Sequence, residues 1–223
     1  MSLVLYGVPL SPFVRKVRLA LLEKGLDYQL EFVMPFAPPA WYFELNPLGR
    51  IPTLKDGDLV LADSSVICQY LDDCHPHGIA LLGHPPEERA RVRWLEKYAD
   101  YEIAPYATFG VFRNRIVKPS AGQRCDEEAV RQALEEVLPK HFDYLDRQLG
   151  ERSYFVGEEA TLADFAITCQ LINLEHGGET LDPARWPRLA AHFERMKARQ
   201  SVQSLLPAEQ RMVEKLRTSV SGT

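Results

Sequence analysis

No stretch of the chain approaches the ~20 consecutive apolar residues needed to cross a bilayer, so no membrane-spanning helix is expected. The first residues, MSLVLYG, lack both the basic start and the cleavage site of an export signal, and the expected location is cytoplasmic. Positive charge is not in excess: 26 Lys and Arg against 31 Asp and Glu give a formal net charge of -5 over 223 residues. That balance gives no general attraction to nucleic acid or anionic lipid, which leaves small molecules as the expected partners. Cysteine is scarce, and Cys68, Cys74, Cys125 and Cys169 form no CxxC pair, which argues against a disulfide scaffold and a dithiol redox centre. Cys68, Cys74, His75 and His77 lie close together, but their spacing matches no metal-ligand pattern, so a helix end running into a loop is expected there and no metal. What the chain does have is a composition that is 46% hydrophobic and 26% charged, enough to bury one large core or two small ones.

The first third alternates element types. LVLYG (3–7) is a short β run, residues 12–24 carry Phe13, Val17, Ala20 and Leu21 at helical spacing, and YQLEFVM (28–34) is β again. A connection rich in proline and aromatics (35–47) leads to two further β runs, 51–55 and 58–62, with Asp56-Gly57 as a tight hairpin turn. Asp63-Ser64 opens a second amphipathic helix. A parallel βαβ unit followed by an antiparallel hairpin predicts a small mixed sheet with helices packed on it. From residue 75 the composition turns Pro/Gly-rich, and everything beyond reads as helix: 89–116, 126–150 closed by Gly150, 161–176, 186–200, and a short stretch near 205–217. Domains are therefore expected at 1–77 (α/β) and 88–223 (all-α), with 78–87 as linker. Pro105 and Pro139 should bend their helices, and the tail SVSGT should be disordered.

Three local signals in the α/β part each have a purely structural explanation. Ser11-Pro12 is a good helix start, because serine caps the free amides and proline fits the first helical position. Pro52, in NPLGRIPTL (46–54), enters a strand, where a cis bond would turn the backbone of Ile51 outward. Ala62-Asp63-Ser64-Ser65 places polar side chains at a helix N-terminus, which attracts an anion.

Taken in order, these segments resemble the glutathione transferases. The resemblance is carried by SPFVRKVRLALLEKG (11–25), NPLGRIPTL (46–54), LADSSVICQYL (61–71) and FVGEEATLADFAI (155–167), where Thr161 and Asp164 have the spacing of a reciprocal cap. It implies a thioredoxin-like N-terminal domain followed by an all-helical bundle, with glutathione as co-substrate and no other cofactor. Ser11 would be the catalytic serine of the tau, phi, theta and zeta classes. Ile51, before Pro52, would pair its backbone with the cysteinyl part of glutathione, beside Phe13. Asp63 and Ser64 would hold the γ-glutamyl end, and Arg50 the glycyl carboxylate. A homodimer and a detoxifying role are also implied.

The chemistry is consistent with such a site. A free thiol has a pKa of about 8.5, and lowering it by about 2 units needs roughly 2.7 kcal/mol of preferential anion stabilisation. A hydroxyl hydrogen bond to a charged acceptor supplies about 1.5–3 kcal/mol, and the helix N-terminus adds to it. Ser11 would then be a donor to sulfur, and Tyr6, inside the first strand, a packing residue. A small hydrophobic electrophile would bind between the domains, with Pro9, Leu10, Phe13 and Phe36 facing Tyr101, Tyr106 and Phe109. Two other functions stay open: a non-catalytic docking or regulatory module of the same fold, and a glutathione-dependent isomerase or dehalogenase. The zeta signature begins with a Ser-Ser-Cys cluster, from which SPFVRK departs.

Overall fold

The computed structural model describes residues 3–220. Strand β1 (Leu3–Gly7) buries every second residue, as a half-covered strand should. Helix α1 (Pro12–Glu23) follows it and leads to β2 (Tyr28–Phe32), which pairs parallel to β1, Leu5 opposite Leu30. A one-turn helix, α2 (Tyr42–Leu45), lies inside the proline- and aromatic-rich connection 35–47. Strands β3 (Thr53–Asp56) and β4 (Leu59–Ala62) form the hairpin, and α3 (Ser64–Cys74) closes the unit. The sheet order is β2-β1-β3-β4, mixed as expected, with β3 antiparallel to both neighbours. Asp56 pairs with Leu59, so the two-residue turn is Gly57-Asp58, one residue later than expected; Gly57 takes the positive φ of +59° that the turn requires.

The second domain is helical: α4 (Pro86–Tyr98), α5 (Ala104–Tyr106), α6 (Lys118–Ser120), α7 (Glu127–Gln132), α8 (Leu138–Leu149), α9 (Leu162–His176), α10 (Pro187–Lys197) and α11 (Gln200–Val220). Between them lie three segments of wider, π-type turns, Ala99–Ile103, Ala107–Val117 and Ala133–Val137. Each ends just before a proline, at Pro105, Pro119 and Pro139. A proline removes a backbone donor and its ring crowds the carbonyl one turn back, and a widened turn relieves both. Pro119 acts in the same way as the two prolines expected to disturb their helices. The last helix is much longer than the stretch expected near 205–217 and carries Pro207 within it. The tail expected to be disordered lies outside the described residues from 221 on.

One continuous apolar core joins the domains, from Leu5, Val17 and Ile67 through Leu95 and Ile103 to Phe165 and Ile172. Helix α9 is buried almost all round, as its near-continuous apolar sequence requires. Asp164 anchors its start, accepting from the amides of Phe155 (2.9 Å) and Thr161 (2.8 Å) and the Thr161 hydroxyl, with the His192 ring 2.8 Å away. The segment before α4 is pinned to the core, since Asp72 accepts from the amides of Leu81 and Leu82.

Candidate functional site

The loop after β1, the turn before β3 and the start of α3 carry the expected site residues. Ser11 is the cap of α1: its backbone is extended (φ -71°, ψ 125°) and its hydroxyl accepts from the amide of Val14 at 3.4 Å, a long contact. The Ile51-Pro52 bond is cis. The turn leading into it is held by Tyr42 and Asn46, whose hydroxyl and amide each donate to the carbonyl of Arg50 at 2.8 Å. Gly49 is required there, since its φ is +62° and a Cβ would fall 2.7 Å from the Phe43 ring. The backbone of Ile51 makes no hydrogen bond among the described residues, so its N–H and C=O are open to a partner strand.

Asp63 has a φ of +74°, in the left-handed region that a non-glycine residue enters at a cost of order 1–3 kcal/mol. It is held there by its own carboxylate, which accepts from the amides of Ser65 (2.8 Å) and Val66 (3.3 Å) and so caps α3. Ser64 is buried, and its side chain makes no hydrogen bond among the described residues. Behind it, the Ser65 hydroxyl donates to Glu96, and Lys97 donates back to that hydroxyl at 2.6 Å.

A cavity of about 410 Å³ opens beside Ser11. Of the expected site residues, Leu10, Ser11, Phe13 and Phe36 line it from the first domain together with Arg50 and Ile51, and Phe109 lines it from the second. Phe13 and Phe109 face each other across it, ring centroids 6.5 Å apart. Asp63, Ser64 and Pro52 are not part of this lining, and neither are Pro9, Tyr101 and Tyr106. The Tyr106 ring stacks on His141, 6.3 Å away, and Tyr101 is exposed with the Lys97 ammonium over its face. Tyr6 packs edge-on against Trp41, centroids 6.0 Å apart; partial burial, then Glu31, pushes its phenol up. The sequence reading missed Asn173 of α9, Met212 and Leu216 of α11, and Thr108 and Arg113 of the long helical stretch, all of which also line the cavity. A second cavity, about 480 Å³, lies among α9, α10 and α11 and holds none of the expected site residues; Lys197 bonds both Glu175 and Glu194 in its wall.

Two buried charge clusters lie beneath the site, and neither was foreseen. Lys16 of α1 reaches Glu96 and Asp100, each at 2.6 Å, across the domain interface. Burial pushes the Asp100 carboxyl up, against the pull of Lys16. Arg15 donates to Glu209 of α11 at 2.8 Å, to the Cys169 carbonyl at 3.0 Å and to Asn173 at 2.9 Å. The amide of Asn173 in turn donates to the carbonyl of Leu10 at 3.3 Å, which ties the loop before Ser11 to α9. Burial alone would raise the Glu209 carboxyl, but the Arg15 charge and the bond to His176 hold it below its usual range. The buried thiols are inert by comparison, with burial pushing Cys169 up to about 12. Among the described residues no group of His, Cys, Asp or Glu has the makings of a metal site, and no helix is long and apolar enough to cross a membrane.

Comparison with known proteins covers most of the chain. The family profile described as "Glutathione S-transferase, N-terminal domain" matches residues 5–85, and "Glutathione S-transferase, C-terminal domain" matches 112–208. The chain is 33% identical to a stringent starvation protein A homolog of Coxiella burnetii, over 81% of this chain and 80% of that one. It is 35% identical to glutathione S-transferase 3 of Zea mays, over 73% of each chain. Among solved structures, a glutathione S-transferase from Rhodospirillum rubrum F11 superposes with a TM-score of 0.83 at 30% identity, covering 92% of this chain and 91% of that one.

Proposed function

The chain belongs to the glutathione S-transferase family, and on that premise we propose that it joins the thiolate of glutathione to small apolar electrophiles. The observation that carries this reading is that Ser11 and Ile51 line one cavity whose other walls are mostly apolar. The free backbone of Ile51 pairs with the cysteinyl residue of glutathione as an added strand would, beside cis-Pro52, with Phe13 against it. That pairing directs the sulfur at the mouth of the cavity, where the Ser11 hydroxyl donates to it and the α1 N-terminus adds its positive end. The Ser11 hydroxyl is free for this role because its cap bond to Val14 uses it as an acceptor and leaves its proton available. At the other end, Asp63 takes the γ-glutamyl ammonium, and Ser64, at the start of α3, takes the carboxylate. Arg50, exposed at the turn, takes the glycyl carboxylate. The sulfur attacks and no protein nucleophile is needed.

A cytoplasmic homodimer working in detoxification fits the same reading. The second reading is a docking or regulatory module, and the observation in its favour is the likeness to a stringent starvation protein A homolog. Such a module has no use for a hydroxyl and an open strand edge lining one cavity. A glutathione-dependent isomerase or dehalogenase has less support, because Pro12-Phe13 follow Ser11 where the isomerase class carries a Ser-Ser-Cys cluster. Retention on immobilised glutathione, followed by conjugation of a chloronitroarene, separates these readings. Retention with conjugation is expected; failure to be retained favours the docking module, and retention without conjugation points to the isomerase or dehalogenase.

A further inference from the structure

Most of the residues that line the cavity are apolar, yet Arg113 of the segment Ala107–Val117 is among them. Its guanidinium makes no hydrogen bond and no ion pair among the described residues; its one recorded contact is the ring face of Phe36, 5.1 Å from the centroid. Arg115, two residues on, shows the usual alternative, paired with Glu127 at 3.5 Å and bonded to Glu179. Among the described residues the cavity lining contains no acidic side chain, while it holds two cations, Arg50 and Arg113. Its five N–H donors are unspent on the chain and none of its nitrogens is fully buried, so they stand open to a ligand in the cavity. The contact with Phe36 orients the guanidinium without using a single N–H. The cavity is thus complete for an apolar body and incomplete by one anion.

We infer that the electrophile taken by this cavity carries a carboxylate and that Arg113 is the residue that selects it, an inference that rests on the transferase reading above. A carboxylate fits better than a phosphate, since the guanidinium fork matches two coplanar oxygens and a single cation cannot neutralise a dianion in apolar surroundings. Arg50 stands at the turn before cis-Pro52, on the tripeptide side, which leaves Arg113 for the second substrate. For an unsaturated ketone the step balances without another reactant: the sulfur lone pair forms the C–S bond, the π pair moves to the carbonyl oxygen, and the enolate carbon takes a proton from water.

The test uses two aryl vinyl ketones that differ only in a para carboxylate or its methyl ester, and the two saturated ethyl ketones as unreactive counterparts. Calorimetry on the glutathione-loaded protein should show the saturated carboxylate binding on the order of tenfold more tightly than its ester, as a charge-assisted contact implies. Arg113→Met should bring that ratio to about one. A ratio near one in the unsubstituted protein, or a preference that survives in Arg113→Met, overturns the inference. So does a preference lost together with glutathione affinity in that variant, because the guanidinium then serves the tripeptide. Turnover separates the two readings. Conjugation of both vinyl ketones with no preference for the acid refutes the role of Arg113 and leaves the transferase standing; acid-selective binding without conjugation supports Arg113 and refutes the transferase.

Discussion

Replacing Glu209 with alanine removes the only carboxylate that meets Arg15 among the described residues, and Arg15 has no exposed surface. What remains to the guanidinium is the Cys169 carbonyl and the Asn173 side chain, two neutral acceptors for a full charge. Breaking a buried pair from one side costs about 3–5 kcal/mol, because the surviving charge stays buried and unpaired. For a chain of this size, ~1 kcal/mol moves the melting temperature by about 2–4 °C, so the loss should be about 6–20 °C. Replacing both partners, Arg15→Met with Glu209→Leu, should return most of that loss, since the buried Arg15 charge goes with its partner, while Arg18, 3.7 Å from Glu209 and 13% exposed, keeps its bond to Tyr28. The defect should also reach activity: Arg15 holds Asn173, and Asn173 holds the carbonyl of Leu10, next to Ser11. Denaturant melts of the two variants, with conjugation rates on the folded fraction, make the measurement. A loss below about 1 kcal/mol in Glu209→Ala, or a double variant worse than the single one, would refute the reasoning.

Asp63→Ala should cost about 1 kcal/mol of stability through the lost cap and weaken glutathione binding on the order of tenfold, while slowing the saturated complex less; an unchanged dissociation constant contradicts the placement of the γ-glutamyl end. His176 gives a pH dependence. Burial, helped by Arg15 and opposed by the Glu209 bond, lowers its ionisation below the ordinary 6.5. Between the folded value and 6.5 the unfolded chain binds more protons, so stability rises with pH through that window and falls as pH drops through it. Urea midpoints at pH 5.5 and 7.5 should differ more for the natural chain than for His176→Gln, and equal differences would remove His176 from the account.

What could be read in advance was local. A cap needs only Ser11-Pro12 and the following helix, the hairpin needs Gly57 at its turn, and the cis bond needs a proline at Pro52; each depends on neighbours within a few residues. Their order along the chain then indicated the family and the site. The buried charges escaped because their partners are remote in sequence: Lys16 pairs with Glu96 and Arg15 with Glu209, and on α1 alone both look like a solvated face. Phe109, Arg113 and Val117, four residues apart, line the cavity from the segment Ala107–Val117, whereas Tyr101 and Tyr106, expected beside Phe109 from the same long helical stretch, do not, because the bends at Pro105 and Pro119 decide which side of it meets the first domain and no local pattern specifies that. Asn173, Met212 and Leu216 reach the cavity from helices whose packing no local pattern specifies.

The central claim is that the Ser11 hydroxyl holds the thiolate of glutathione as well as capping its helix. Titrating the bound thiol by its ultraviolet thiolate absorbance, in the natural chain and in Ser11→Gly, tests it directly, because glycine costs the cap only a few tenths of a kcal/mol. The bound thiol should ionise well below the free value of about 8.5, with a rise of about 1–2 units in Ser11→Gly, the equivalent of one charge-assisted hydrogen bond. The same titration curve in both proteins, with glutathione bound in each, would contradict it.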